Sequence, residues 1–197
     1  MATLLKLTMN NETFNKIFEL SKPYLQKATM KDFVTHTKHV VKAMEMIIRG
    51  EGGDSNILIP AAILHDVGFS KVSPRLQTNN DLKKKRQAQR QHLVFAKEII
   101  QEILEKVDYK QKDIDRITEI IVVHKFHNPD GKEERMLIDS DNLSDTFLEQ
   151  FYSDIKAYNR SPEQVYEFRT RNEYYTKTAK KIASKNMSYL QDKIRVK

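Results

Sequence analysis

The chain has 197 residues, 39% hydrophobic and 31% charged, a size that suits one core and leaves little room for a second domain. Its 34 Lys and Arg against 27 Asp and Glu give a formal charge of +7, which suits anionic small molecules or weak polyanion contacts. With no cysteine there is no disulfide framework, Fe–S cluster or thiolate zinc site, so any metal must be held by nitrogen and oxygen ligands.

Five Gly and five Pro are too few to punctuate an all-β chain, in which turn signals recur roughly every 8 to 12 residues. An all-α fold is therefore expected. Apolar residues at three- and four-residue spacing predict helices over 10–28, 32–49, 56–67, 87–107, 112–127, 137–159 and 162–193, with Gly50, Gly52, Gly53, Gly68 and Gly131 at the breaks. Between Ser70 and Gln91 polarity dominates without an apolar stripe, which predicts a loop or a poorly packed helix start.

In chain order, the helix over 32–49 is the first to turn an ionisable group inward. His36, Val40, Ala43, Met44 and Ile47 share its apolar face, whereas His39 lies about 60° off that stripe and is expected at the surface or as a supporting group. The next segment, Ile57-Leu-Ile-Pro-Ala-Ala-Ile-Leu-His-Asp-Val-Gly-Phe69, is apolar all round as far as Leu64 and delivers His65 and Asp66 together just before Gly68. Burying an imidazole beside a carboxylate is costly unless both are satisfied, and a shared cation satisfies both. Taken alone, the dipeptide is better explained by a His meeting helix carbonyls and an Asp capping the next turn. An inward His36 on the preceding helix raises the value of the cation reading.

His92 opens a segment in which Ala96 and Ile99 follow on its own face, and His124 ends one on the face of Ile117 and Ile121; each fits a core or helix-end histidine or a pocket group. His127 begins the turn His-Asn-Pro-Asp-Gly131 and is expected to be exposed. On the helix over 137–159, Leu143, Phe147 and Phe151 form the packing stripe with Asp139 at its edge, where an acidic first turn complements the helix dipole. Asp141 and Asp145, four apart, share another face, and a bound cation there would relieve their repulsion.

In this order the residues resemble the HD superfamily of metal-dependent phosphohydrolases, whose signature is a His, an adjacent His-Asp pair and a distant Asp, all on helices. The resemblance runs from about Asp32 to Ser144. It includes His36 with Val40, the string Ala61-Ala-Ile-Leu-His-Asp-Val-Gly68, His92 with Ala96, His124 after an Ile-rich helix, and Asp139-Ser-Asp-Asn-Leu143. It implies an HD-type helical bundle, a single domain over 1–197 with the motif region at about 32–144 and the helices of 145–197 packed on it. It further implies His36, His65, Asp66 and Asp141 as metal ligands and Asp66, His92, His124 and Asp145 as catalytic residues, His92 and His124 completing a second metal site or facing the substrate phosphate. Branches with a binuclear site usually pair adjacent histidines and carry a Gly-Tyr-Pro string, whereas this chain has His124-Lys-Phe-His127 and no such string. The Lys that some branches place three residues after the His-Asp pair is Phe69 here, which leaves Lys71 and Arg75 as the nearest phosphate-binding substitutes.

Two imidazoles and two carboxylates suit Mn, Fe, Co, Ni or Zn as divalent ions, one or two of them, with positions open for water and a phosphate oxygen. Unligated, His92 and His124 would be partly protonated at neutral pH and able to donate to a leaving oxygen. The run Lys83-Lys-Lys-Arg-Gln-Ala-Gln-Arg90 reads as positive charge at a substrate entrance or as a solvated helix face. The implied partner is a small phosphorylated, nucleotide-like substrate. The alternatives are a di-iron oxygenase, which needs six ligands including His92 and His124, and a catalytically idle regulatory or nucleic-acid-binding domain. Nucleic acid fits poorly, because basic residues are scattered and no aromatic single-strand platform is visible. No apolar run approaches the roughly 20 residues of a membrane-spanning helix, and the first residues lack an apolar stretch and a small-residue cleavage site, so a cytoplasmic protein without membrane contact is expected.

Overall fold

Aspartates start three of the helices. Asp32 accepts from the Thr35 N–H at 3.0 Å, Asp54 from Asn56 at 2.8 Å and Asp81 from Lys84 at 3.0 Å, each satisfying a donor that the first helical turn leaves unpaired. The computed structural model describes residues 12–79, 81–126 and 128–195, and among them the secondary structure is helical without a strand. The order is α1 (Glu12–Lys27), α2 (Phe33–Glu51), α3 (Ser55–Leu64), a 3₁₀ turn (Val67–Lys71) and α4 (Pro74–Gln77). Then come α5 (Leu82–Glu105), α6 (Gln111–Val123), α7 (Lys132–Ser144), α8 (Leu148–Tyr158), α9 (Pro162–Arg169) and α10 (Lys177–Arg195). None of these helices is long and apolar enough to cross a membrane.

α3 is the centre of the core. Its residues from Ile57 to Leu64 are buried, as the all-round apolar sequence predicts, and α1, α2, α6 and α7 pack around it. The turn from α2 into α3 depends on Gly52, whose φ of 71° lies in the left-handed region and whose N–H closes α2 onto the Ile48 carbonyl. A small second cluster of Phe151, Val165 and Leu190 ties α8, α9 and α10 together beside the main core.

Two predicted helices are corrected, and the stretch Ser70–Gln91 resolves toward its second reading: the 3₁₀ turn and α4 occupy its first part, and a poorly packed start of α5 begins at Leu82. Lys83 to Arg90 are good helix formers that stay largely in solvent apart from Ala88, so helix is present without an apolar stripe to announce it. The helix expected over 137–159 starts earlier, at Lys132, and breaks between Ser144 and Leu148. There the Ser144 hydroxyl donates to the Asp141 carbonyl at 2.7 Å and the Thr146 hydroxyl to that of Leu143 at 2.7 Å, competing with the helical ladder. The helix expected over 162–193 is split after Arg169, and α10 restarts behind Thr176, whose hydroxyl accepts from the Ala179 N–H at 3.2 Å.

Gly68 sets the distance between the His-Asp turn and α5. A Cβ there would lie 1.9 Å from the His92 carbonyl oxygen and 2.8 Å from the Ala96 nitrogen, both backbone atoms of a buried helix. Gly68→Ala is expected to destabilise the fold by about 3 kcal/mol, because backbone rather than a mobile side chain must move. Urea denaturation of the metal-free protein checks it, and an unchanged midpoint would show that the two elements are free to separate.

Candidate metal centre

Five helices deliver the ionisable groups. His36 comes from the first turn of α2, His65 and Asp66 from the end of α3, His92 from the middle of α5, His124 from the end of α6 and Asp141 from α7. All six are buried, His36, His65 and His92 completely. The His36 Nε2 lies 3.2 Å from Asp141 Oδ1 and 3.5 Å from Asp66 Oδ2, and the His65 Nε2 lies 3.1 Å from Asp66 Oδ2 and 3.9 Å from Asp141 Oδ1. Adjacent donors around one ion with bonds of about 2.1 Å stand about 3.0 Å apart in octahedral and about 3.4 Å apart in tetrahedral geometry. Three of the observed separations, 3.1, 3.2 and 3.5 Å, lie close to those values, and the fourth, His65 to Asp141 at 3.9 Å, is longer.

The other oxygen of Asp66 faces elsewhere. Its Oδ1 lies 3.7 Å from the His92 Nε2, and Asp66, His92 and His124 form a second group whose ligand atoms all lie within 4.8 Å of one another, as do those of His36, His65 and Asp66. The Nε2 atoms of His36, His65, His92 and His124 and Oδ1 of Asp66 are buried without a well-aligned hydrogen bond among the described residues. Orphaned polar atoms at such a density are costly unless a cation completes them. Two of the rings are oriented for this. His65 Nδ1 donates to the Ala62 carbonyl at 2.9 Å and His124 Nδ1 to that of Ile121 at 2.5 Å, which turns Nε2 of each ring inward, a lone-pair donor in the neutral form. His92 is stacked flat on Phe69, ring centroids 4.1 Å apart.

Two lysines complete the electrostatics, and neither was singled out by sequence reasoning. The Lys125 ammonium, next to His124, pairs directly with Asp141 Oδ2. Lys31, just before the Asp32 cap, is held charged above its ordinary range: burial opposes this, but Tyr158, Asp66, Asp145 and Asp141 outweigh it. The only available signal was position, since each sits one to five residues from a predicted ligand or helix cap. Lys71 and Arg75 turn elsewhere. Lys71 pairs with Glu98 at 2.5 Å, and Arg75 is exposed on α4.

Burial also fixes the protonation states. It pushes the His36 and His92 imidazoles down to about 4, with Lys31 adding to the effect on His36, and it lowers His124 well below the ordinary range with help from Lys125. Burial thus favours the neutral, lone-pair form of His92 and His124 in the metal-free protein. Burial acts on Asp66 and Asp141 in the opposite sense, yet His65 next to Asp66 and Lys125 next to Asp141 hold both carboxylates well below the usual range. Asp145, where α7 ends, is pushed up by burial to about 6 although Arg169 and Lys31 act against it. A pH prediction follows for metal-free protein. The unfolded chain protonates His36 and His92 near 6.5 and the folded chain only near 4, so the unfolded state binds more protons in that window and stability falls as pH drops through it. The loss is on the order of 3 kcal/mol per histidine. His65 offsets part of it, since Asp66 raises its pKa despite burial and that contribution is present below 6.5. Urea midpoints at pH 7 and pH 4.5 check the direction, and a midpoint no lower at pH 4.5 would contradict it.

Two other predicted positions are corrected. His39 is buried rather than superficial, its Nδ1 2.9 Å from Gln150 Oε1 and its Nε2 3.2 Å from Glu149 Oε2, so it fastens α8 to α2. Asp139 lies in the middle of α7, not in its first turn, and is fully buried. It accepts from the backbone of Tyr175 and Thr176 at 2.8 and 2.7 Å and from the Thr176 hydroxyl at 2.6 Å, which anchors the start of α10. His127 lies outside the described residues.

The family model for the HD domain matches residues 33–146, more than half of the chain, and that span contains every residue of the cluster except Lys31. No curated protein and no solved structure matches the sequence. With its histidines and aspartates gathered in one buried cluster compatible with metal binding, the chain belongs to the HD domain family, a superfamily of metal-dependent hydrolases.

Proposed function

We propose that the protein is a metal-dependent phosphohydrolase, a phosphomonoesterase or phosphodiesterase acting on a small phosphorylated molecule. The nucleotide-like character of that substrate follows from the family resemblance. The observation that carries the reading is the division of Asp66, with Oδ2 toward His36 and His65 and Oδ1 toward His92, and the pairing of Lys125 with Asp141. His36, His65, Asp66 and Asp141 suit one divalent ion, and Asp66 with His92 and His124 suits a second; Mn, Fe, Co, Ni and Zn all accept such donors. Divalent metal held there lowers the pKa of water and draws charge from a phosphoryl oxygen.

The chain's own residues do the rest. Lys125 and Lys31 take the phosphate-holding role, since an ammonium that balances Asp141 in the absence of metal is free to face an anion once that carboxylate has another partner. Asp145, with its pKa near 6, retains a proton for the leaving oxygen to a far greater extent than an ordinary aspartate. Lys125→Met is expected to change two quantities in opposite directions. Removing the competing cation tightens divalent-ion binding about tenfold, while loss of a phosphate donor lowers kcat/KM about 100-fold. A chelator competition titration and steady-state kinetics check the pair, and weaker metal binding in the variant would show that Lys125 does not compete for Asp141.

Metal analysis of protein purified without chelator, run beside a screen of nucleotides and generic phosphate esters, tests the function. The expected result is metal-dependent phosphate release. Oxygen consumption with iron and no phosphate release would favour an oxygenase, and bound metal with neither activity would favour a regulatory domain.

A further inference from the structure

On the Asp145 side of the cluster, the segment after α9 and α10 form a cleft of about 320 Å³ whose walls include Arg169, Asn172, Tyr174, Lys180, Ser184 and Met187. Two cations line it, and no carboxylate does among the described residues. None of the candidate metal ligands belongs to it. Arg169 is the unusual member, a guanidinium only 3% exposed. Its Nη2 donates to Asp154 Oδ2 at 2.6 Å, and its plane sits over the Phe151 ring at 5.0 Å. Asp154 also accepts from Gln150 Nε2 at 2.7 Å, so that carboxylate is already shared. The Nη1 of Arg169 is buried with no hydrogen-bond partner among the described residues.

A guanidinium is a rigid fork of five donors suited to paired oxygens, and an unused edge is disfavoured in the interior. The surroundings match an anion. Lys180 adds charge, Asn172 an amide, Ser184 a hydroxyl, and Met187 an apolar wall for the rest of a ligand. We propose that this cleft is a second ligand site, taking the phosphate or carboxylate group of a small organic anion between Arg169 and Lys180 with its apolar body against Met187. It is independent of the phosphohydrolase reading, which stands whether or not the cleft binds.

Isothermal titration of metal-free protein with phenyl phosphate and with benzoate, ligands that share a ring and differ in the oxyanion, tests it. Ser184→Glu, at an exposed position of α10, places a carboxylate in the cleft, and Lys180→Ala removes an exposed cation; circular dichroism verifies that both remain folded. Saturable binding of at least one of the two ligands is expected in the wild type and equally in Asp66→Asn, weakened at least tenfold by Ser184→Glu and at least threefold by Lys180→Ala. Whichever ligand binds identifies the preferred oxyanion. Absence of binding in the wild type, or wild-type affinity in Ser184→Glu, would overturn the proposal. Binding lost in Asp66→Asn but kept in Ser184→Glu would also overturn it, placing the anion at the candidate metal centre and leaving the proposed function intact.

Discussion

Asp66→Ala is expected to lower metal content from one or two ions per chain to almost none and to reduce turnover on the order of 10³-fold or more. Its two oxygens lie 3.1 to 3.7 Å from His36, His65 and His92, and among the described residues it belongs to both groups of candidate ligands. The fold is expected to survive, because the hydrophobic core around α3 does not include this carboxylate. Thermal melts separate the two effects. Added divalent ion at about 100 times its dissociation constant should stabilise the wild type by about 2.7 kcal/mol and leave the variant unmoved. Full metal content and turnover in Asp66→Ala would remove this residue from the site.

Asp141→Asn and Asp139→Asn should fail in different ways. Asp141 faces His36, His65 and Lys125, so its amide is expected to weaken metal binding at least tenfold and, because Lys125 loses its partner, to lower metal-free stability at neutral pH as well. Asp139 faces only the start of α10, and its amide is expected to retain metal while losing about 2 kcal/mol of stability, since one of the oxygens receiving the three donors becomes a donor itself. Metal titration and urea denaturation on both variants check the pair. Equal metal loss, or greater loss at position 139, would show that the wrong aspartate has been assigned to the cluster.

The inward-facing groups were readable from sequence because periodicity records which side of a helix is buried. His36 shares its face with Val40, Ala43, Met44 and Ile47, and all five are buried. The string before His65 is apolar all round because α3 has neighbours on every side. Asp139 and His39 were misread for one reason: each is satisfied by a distant segment, the start of α10 and the start of α8, and helical phase carries no information about such partners. Lys31 and Lys125 were missed because a lysine beside a helix end is ordinary in sequence, and only the packing shows that Lys125 pairs with Asp141 and that Lys31 is in the field of Asp66, Asp141 and Asp145. The α5 start could not be separated from a loop for a local reason, since a solvated turn rich in Lys and Gln forms helix without any apolar stripe. The break after Ser144 depends on hydroxyl-to-carbonyl bonds, and the restart of α10 on the Thr176 cap and its anchor on Asp139 of α7, none of which alters the spacing of apolar residues.

The most direct measurement of the central claim is an anomalous-scattering map from crystals grown with Mn²⁺ or Zn²⁺. A peak is expected about 2.0 to 2.3 Å from His36 Nε2, His65 Nε2 and one oxygen each of Asp66 and Asp141, with any second peak lying on the His92 and His124 side of Asp66. No peak among these atoms at saturating metal, or a peak bound by residues outside the cluster, would contradict the account.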